Sequence, residues 1–335
     1  MNRPAKLSLF VLLLGVAMSG FLLWRGHQSQ PPTRAFEFHY VTRIPAVPEG
    51  TGKLRVWIPV PESDNQQEIS HLTIDSPVPY ELYNDAKYGN RYAYLELDPG
   101  AEKVPVEVRM RFQVERREHR VVLDAPAGRP NATETKASEL ARSLQPDRLV
   151  PIDGVIAALA EQETRGLTEP LEKARAIYNY VVSTMRYDKS GEGWGRGDAI
   201  YACNSRKGNC TDFHALFIGM MRAAGIPARF EIGFLLPSNQ RADDIPGYHC
   251  WAQFYLEGVG WVPVDTSEAW KDPARRDYFF GAHDEHRVLL SRGRDIRLNP
   301  AQQGELLNYF IYPYAELDGK SFPDVEYQFS FRDLH

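Results

Sequence analysis

The sequence predicts an α+β protein, an N-terminal all-β sandwich followed by a mixed helical and stranded domain. Three observations carry this. Apolar residues alternate by two in short runs between residues 33 and 124. Helical spacing takes over after Ser138. A strand, a glycine turn and a second strand then follow between Gly247 and Asp265.

The chain has 335 residues, which at about 150 residues per domain suggests two domains. Lys plus Arg is 39 and Asp plus Glu is 44, a formal net charge of −5. An acidic chain offers no electrostatic footprint for nucleic acid, so a nucleic-acid partner is excluded. Only 3 cysteines are present, too few for a disulfide scaffold.

The chain opens with Arg3 and Lys6, then runs without charge from Leu7 to Trp24. Such a run rises about 27 Å as a helix, enough to span a bilayer core. Residues 1–28 are expected to be a membrane anchor or signal segment, with the two cations on the cytoplasmic side. Ala17-Met18-Ser19 offers a cleavage site. The apolar run continues past it to Trp24, which favours an uncleaved anchor. Either way the rest of the chain is expected outside the cytoplasm, in the cell envelope. It would be anchored to the inner membrane, or secreted or periplasmic after cleavage.

Residues 33–124 read as the sandwich. Phe36 to Val41, Leu54 to Val60, Arg91 to Leu97 and Val104 to Val114 each alternate. Pro48-Glu49-Gly50 and Asp98-Pro99-Gly100 punctuate them, as turns between half-buried antiparallel strands do. No reactive side chains gather here, so the sandwich reads as a packing or partner-binding module. Pro126, Gly128 and Pro130 mark a linker.

Residues 136–335 form the second domain. Glu169-Pro170 starts a helix to about Met185, with Leu171, Ala174, Ile177, Tyr178, Val181 and Val182 on one stripe. Gly191 to Gly197 is glycine-rich, but no strand feeds it and no Gly-Lys-Ser/Thr follows. It therefore reads as a mobile loop carrying Trp194, with no phosphate site.

Gly208 to Pro227 is a bounded helix, stopped by Gly225 and Pro227. Cys210 falls in its first turn, where backbone N–H groups stabilise a thiolate and can hold an oxyanion. Beyond it, His249 begins a strand-like run to Leu256, and Trp261 to Asp265 returns after Glu257-Gly258-Val259-Gly260. A three-residue loop at Glu257 to Val259 pairs Leu256 with Gly260. Asp265 then faces Trp251, and His249 and Asp265 share one face as diagonal neighbours. A two-residue loop would put them on opposite faces. A thiol nucleophile needs this trio: a base for its proton and a carboxylate to fix the imidazole. Read without function, Asp265 caps Thr266-Ser267-Glu268.

Gly208-Asn209-Cys210-Thr211-Asp212-Phe213, Arg222 to Arg229, His249-Cys250-Trp251 and Gly260 to Thr266 together resemble the transglutaminase-like superfamily of papain-type thiol enzymes. The likeness covers about Ala174 to Asp272. It implies a papain-like α+β core, with Cys210 as nucleophile, His249 as base and Asp265 orienting it. It leaves the reaction open among cross-linking, peptidase and amidase chemistry. Cys250 departs from the usual small residue and is expected to point away from the active face. In cross-linking members a tryptophan upstream of the cysteine donates to the oxyanion. Trp194, 16 residues before Cys210, is the candidate for that role or for a substrate channel.

Cys203 and Cys250 remain once Cys210 is assigned, and outside the cytoplasm they are candidates for a disulfide. The Cys and His spacings fit no zinc pattern, so no metal is expected. No cofactor motif is present. The aromatic tail from Arg275 is expected to extend or cover the catalytic sheet. The expected function is a thiol-dependent acyl-transfer enzyme. It would act on a protein or peptide substrate through a thioester, by hydrolysis or cross-linking. The alternative is a non-catalytic envelope binding protein that uses the sandwich.

Overall fold

A computed structural model describes residues 31–47, 49–100, 105–123 and 136–334. The expected anchor lies outside these residues. Among the described residues no helix is long and apolar enough to cross a membrane.

The alternating N-terminal runs become strands of two five-stranded antiparallel sheets. In one, Thr33–Ile44 pairs along its length with Val106–Arg117, which in turn pairs with Gln67–Asp75. In the other, Leu54–Val60 pairs with Arg91–Leu97, followed by Tyr80–Asn84. Alternation sends Phe36, Phe38 and Tyr40 from the first sheet, and Val56, Ile58 and Leu95 from the second, into one apolar core. A fully buried side chain of this size contributes roughly 1.5–3 kcal/mol, so the strand register is strongly fixed.

The tail departs from its expected place. Among the described tail residues, only Arg287–Arg292 joins the four-stranded sheet of the second segment, as the edge strand beside Ala228–Leu235. Tyr314–Leu317 pairs with Leu54–Val60, and Glu326–Asp333 pairs with Thr33–Ile44. The C-terminal chain therefore completes both N-terminal sheets. The physical reason is the edge: each N-terminal strand would otherwise present a row of unpaired backbone groups. Ile296, Leu298 and Phe310 cover the outer face of the second sheet, against Trp57, Tyr92 and Tyr94.

The four-stranded sheet runs Gly260–Val264, His249–Leu256, Ala228–Leu235, Arg287–Arg292. The helix Cys210–Ala223 is buried from Cys210 to Arg222. Its sequence is apolar nearly all round, so it is a core helix with neighbours on every side. Phe217 meets Phe254 of the sheet. On another side Gly219 lets Ile156 and the Pro151 carbonyl approach to within 3.3 Å of where a Cβ would sit. Pro170–Thr184 buries Ala174, Ile177, Tyr178, Val181 and Val182, the stripe read from sequence.

Candidate active site

The start of the Cys210 helix is set by its own side chains. Asn209 Oδ1 accepts from Thr211 N at 3.0 Å, and Asp212 Oδ2 accepts from Asn209 N at 2.9 Å. This capping box satisfies first-turn donors that would otherwise be orphaned. Asp212 does more. Its carboxylate also accepts from Gly195 N at 2.7 Å and Gly197 N at 3.0 Å. The four loop glycines Gly191, Gly193, Gly195 and Gly197 all have positive φ, which lets the chain coil around that carboxylate. A Cβ on Gly208 would sit 2.2 Å from Asp212 Oδ2, so glycine is required there too.

The loop is therefore pinned, contrary to the expectation of mobility. Arg294 donates to the carbonyls of Gly197 at 2.7 Å and Arg196 at 3.0 Å, and Tyr309 OH donates to Gly195 O. Replacing Asp212 with alanine strands three backbone N–H groups beside Cys210. At roughly 1–3 kcal/mol for each unsatisfied buried group, the expected loss of stability is about 3 kcal/mol. Urea unfolding measures it.

The hairpin has the odd loop. Leu256 pairs with Gly260 and Ala252 with Val264, through a turn in which Gly258 has φ 76°. Continued one step, this register sets Asp265 opposite Trp251 on the face of His249. His249 Nε2 donates to Asp265 Oδ2 at 2.7 Å. Nδ1 is then the nitrogen left for Cys210, whose thiolate favours the charged imidazole.

Asp265 also caps the helix Thr266–Lys271, with its other oxygen. Oδ1 accepts from Glu268 N and Ser267 Oγ, each at 2.9 Å. Capping and imidazole orientation are thus shared between the two oxygens of one carboxylate. Arg287 Nη1 also reaches Oδ2 at 2.7 Å, and its Nε meets Asp284 Oδ1 at 3.2 Å. Asp265 and Arg287 are both wholly buried.

The charges follow from these contacts. Burial works against the Asp265 carboxylate, but His249 and Arg287 hold it well below the usual range. Burial also opposes the His249 imidazolium, yet Asp265 and then Cys210 push it up to about 9. Burial opposes the Cys210 thiolate as well. The neighbouring Cys250 thiol and the His249 imidazolium bring its pKa well below an ordinary thiol. The arrangement favours a thiolate beside an imidazolium.

His214 stands one helical turn below Cys210. Its Nδ1 donates to the Cys210 carbonyl at 2.7 Å, and its Nε2 accepts from Thr266 N at 3.2 Å. Burial lowers its pKa. Both nitrogens are engaged in the neutral ring, so His214 is a packing group and no base for the thiol.

Two expectations need correction. Cys203 and Cys250 are free. Cys203 is half-buried on the helix Ala199–Ser205, in the field of Arg206. Cys250 is buried on the sheet face that the Cys210 helix covers, its sulfur 3.6 Å from His214 Nδ1. Strand alternation turns Cys250 toward that helix, so its thiol lies against the His214 nitrogen that bonds the Cys210 carbonyl, and not away from it. Trp194 spends its indole N–H on Gly191 O within its own loop, at 3.1 Å. In this conformation that N–H is not offered to an oxyanion.

Aromatic rings from two segments flank the helix start. Asn209 Nδ2 donates to Tyr248 OH at 3.0 Å, and Tyr248 meets Tyr309 and Tyr312 from the tail. Tyr187 packs on Phe213 and Trp270. Among the described residues, no group of three or more His, Cys, Asp or Glu is arranged to hold a metal ion.

Comparison with known proteins agrees with this architecture. The family model of the transglutaminase-like superfamily matches residues 157–266, a span that holds Cys210, His249 and Asp265. Residues 157–266 form a transglutaminase-like domain. Outside the transglutaminase-like domain the likeness extends further. An uncharacterised protein of Haemophilus influenzae is 28% identical over 323 residues, covering 85% of this chain and 87% of that one. The uncharacterised protein YebA of Bacillus subtilis is 23% identical over 134 residues, 36% of this chain and 18% of that one. A crystal structure of a candidate cysteine protease from Cytophaga hutchinsonii superposes with a TM-score of 0.64. It covers 92% of this chain and 93% of that chain at 17% identity, a likeness of fold. The transglutaminase-like domain therefore has a fold that thiol-dependent enzymes use.

Sequence reasoning missed Arg287 and the clamp made by Asp212. Asn209 followed three residues later by an acid before an apolar run is the signal that would have found the clamp. No local signal marks Arg287, which reads as the first residue of an ordinary strand.

Proposed function

We propose that the protein is a thiol-dependent acyl-transfer enzyme acting on peptide or amide bonds through Cys210, His249 and Asp265. The observation that carries this reading is the 2.7 Å bond from His249 Nε2 to a buried Asp265, which leaves Nδ1 of the ring for the thiol. The Cys210 sulfur attacks the carbonyl carbon. The oxyanion is held by first-turn N–H groups. Because Asn209 Oδ1 takes the Thr211 N–H, the Cys210 N–H is the natural donor. His249 gives its proton to the departing amine as the C–N bond breaks, leaving a thioester. Water, deprotonated by the now neutral His249, attacks the thioester and releases the acid and the Cys210 thiol. An amine in place of water gives cross-linking. Nothing in the flanking residues marks an amine site, so hydrolysis is the favoured outcome.

Asp265 keeps the imidazole turned toward sulfur throughout. Tyr248, Tyr309 and Tyr312 supply apolar surface beside the reacting centre, suited to a peptide. The uncharged run Leu7 to Trp24 supports an envelope location with the catalytic part outside the cytoplasm. The protein is then expected in the membrane fraction, resistant to salt extraction. A soluble mature chain starting near residue 20 would contradict that part.

Turnover of an acyl-donor peptide library tests the reading, and its pH dependence has a defined sign. His249 must be protonated to serve the leaving amine, and that form is lost as pH rises through about 9. Cys210 must be thiolate, and that form is lost only as pH falls below a value well under the ordinary thiol. The expected kcat/KM profile is a bell with its alkaline limb near 9. No turnover of any peptide or amide, or a profile that only rises through an ordinary thiol pKa of about 8.5, counts against it.

A further inference from the structure

Cys250 takes no part in the acyl-transfer steps, yet its thiol stands inside the site. Its sulfur lies 3.6 Å from His214 Nδ1, and the same nitrogen lies 2.7 Å from the Cys210 carbonyl oxygen. One imidazole nitrogen of His214 thus touches both cysteine residues, the Cys250 sulfur on one side and the Cys210 backbone on the other. Cys210 is 2% exposed and Cys250 is wholly buried, so the pair is enclosed by the protein with Cys210 on the outer side. The third cysteine, Cys203, lies on a different helix.

We propose that Cys210 and Cys250 form an oxidisable pair, in which a hydroperoxide oxidises Cys210 and Cys250 resolves the product as a disulfide. The inference rests on the reading of Cys210 as a reactive thiolate, but needs no acyl substrate.

The steps balance. The Cys210 sulfur attacks one peroxide oxygen and the O–O bond breaks. Sulfur is oxidised to sulfenic acid, and the hydroperoxide is reduced to an alcohol, or to water when the oxidant is hydrogen peroxide. The Cys250 sulfur then attacks the Cys210 sulfur. The S–O bond breaks, and hydroxide leaves with the Cys250 proton as water. Two thiols and one hydroperoxide have become one disulfide, one alcohol and one water.

The assignment of roles follows from the surroundings. Cys210 sits at a helix N-terminus beside His249, where the thiolate is favoured. Cys250 sits mid-sheet in apolar packing, where burial and the neighbouring Cys210 push its thiol up. It waits protonated until the sulfenic acid forms next to it. A disulfide here blocks the nucleophile reversibly, and shields it from sulfinic and sulfonic acids, which do not revert with thiol reductants.

The test uses the full chain, hydrogen peroxide and dithiothreitol, read by intact mass, non-reducing peptide mapping and recovery of Cys210 alkylation. The wild type is expected to lose two hydrogens, to link the Cys210 and Cys250 peptides, and to recover Cys210 fully after reduction. Cys250→Ala is expected to proceed to sulfinic or sulfonic acid, with about tenfold less Cys210 recovered. Cys250→Ser keeps the side-chain size and is expected to behave like the alanine variant. Cys203→Ala is expected to match the wild type. A wild type that goes to sulfinic acid without the link, a link through Cys203, or full recovery in both Cys250 variants would overturn the pair. If Cys203 oxidises while Cys210 stays untouched, the reactive-thiolate reading of Cys210 fails as well, so the two failures are told apart.

Discussion

Cys210→Ala is expected to abolish turnover while the protein keeps its fold. The substitution removes the atom that bonds to the substrate. The neighbouring Cys250 thiol does not replace it, because it is wholly buried and burial pushes its pKa up. His214 has both nitrogens committed to the Cys210 carbonyl and Thr266 N. Residues that act as one unit lose nearly everything together, so the expected drop is about 10⁶-fold in kcat, and His249→Ala should match it. The stability cost of Cys210→Ala is small, about 1 kcal/mol, because a single buried sulfur is lost. In His249→Ala the Asp265 carboxylate keeps Arg287 and the cap donors, so it is not left unpaired. Peptide turnover and the thermal midpoint, measured on the same preparations, separate the two effects. Activity that persists at more than a hundredth of wild type in either variant contradicts the assignment, on the scale of about 10²–10⁴-fold for a base alone.

Asp265→Asn is expected to damage both activity and stability. An amide can no longer accept from His249 and Arg287 as a charge, and it can turn the imidazole to the wrong tautomer. The expected loss is about 10⁴-fold in kcat, with a measurable residue because the imidazole is still present. Reading the triad from sequence alone predicts a loss of activity with little loss of stability. Arg287 changes that. It is wholly buried, and the substitution would leave its charge with Asp284 alone, at 3.2 Å. Breaking one side of a buried ion pair costs roughly 3–5 kcal/mol, and the surviving Asp284 contact puts the expected loss near the lower figure. Urea unfolding reads this directly. A variant with wild-type stability would show that Arg287 does not depend on Asp265.

The local determinants of the site were legible. Gly208, Gly225 and Pro227 bracket the Cys210 helix, and Glu257 to Val259 sets the odd hairpin loop that brings His249 to Asp265. These features are set by residues close in sequence. What was not legible depends on which surfaces meet. Period-two alternation marks Tyr314–Leu317 and Glu326–Asp333 as strands, but it does not say whose edge they pair with. Alternation also puts Cys250 opposite His249 without saying that the helix covers that face. Arg287 comes 22 residues after Asp265 on a strand that pairs with a third, so only the assembled sheet joins them. Trp194 was placed by its family role, whereas its N–H closes a local turn.

The most direct test of Cys210 as an activated nucleophile is the order in which the three thiols react with iodoacetamide near neutral pH, read by peptide mass. Exposure alone favours Cys203, which is half-buried, over Cys210 at 2%. The account predicts the reverse: Cys210 alkylates first, and His249→Ala slows it to the rate of Cys203 or below. Alkylation of Cys203 first, with Cys210 unmodified until the protein unfolds, would contradict it.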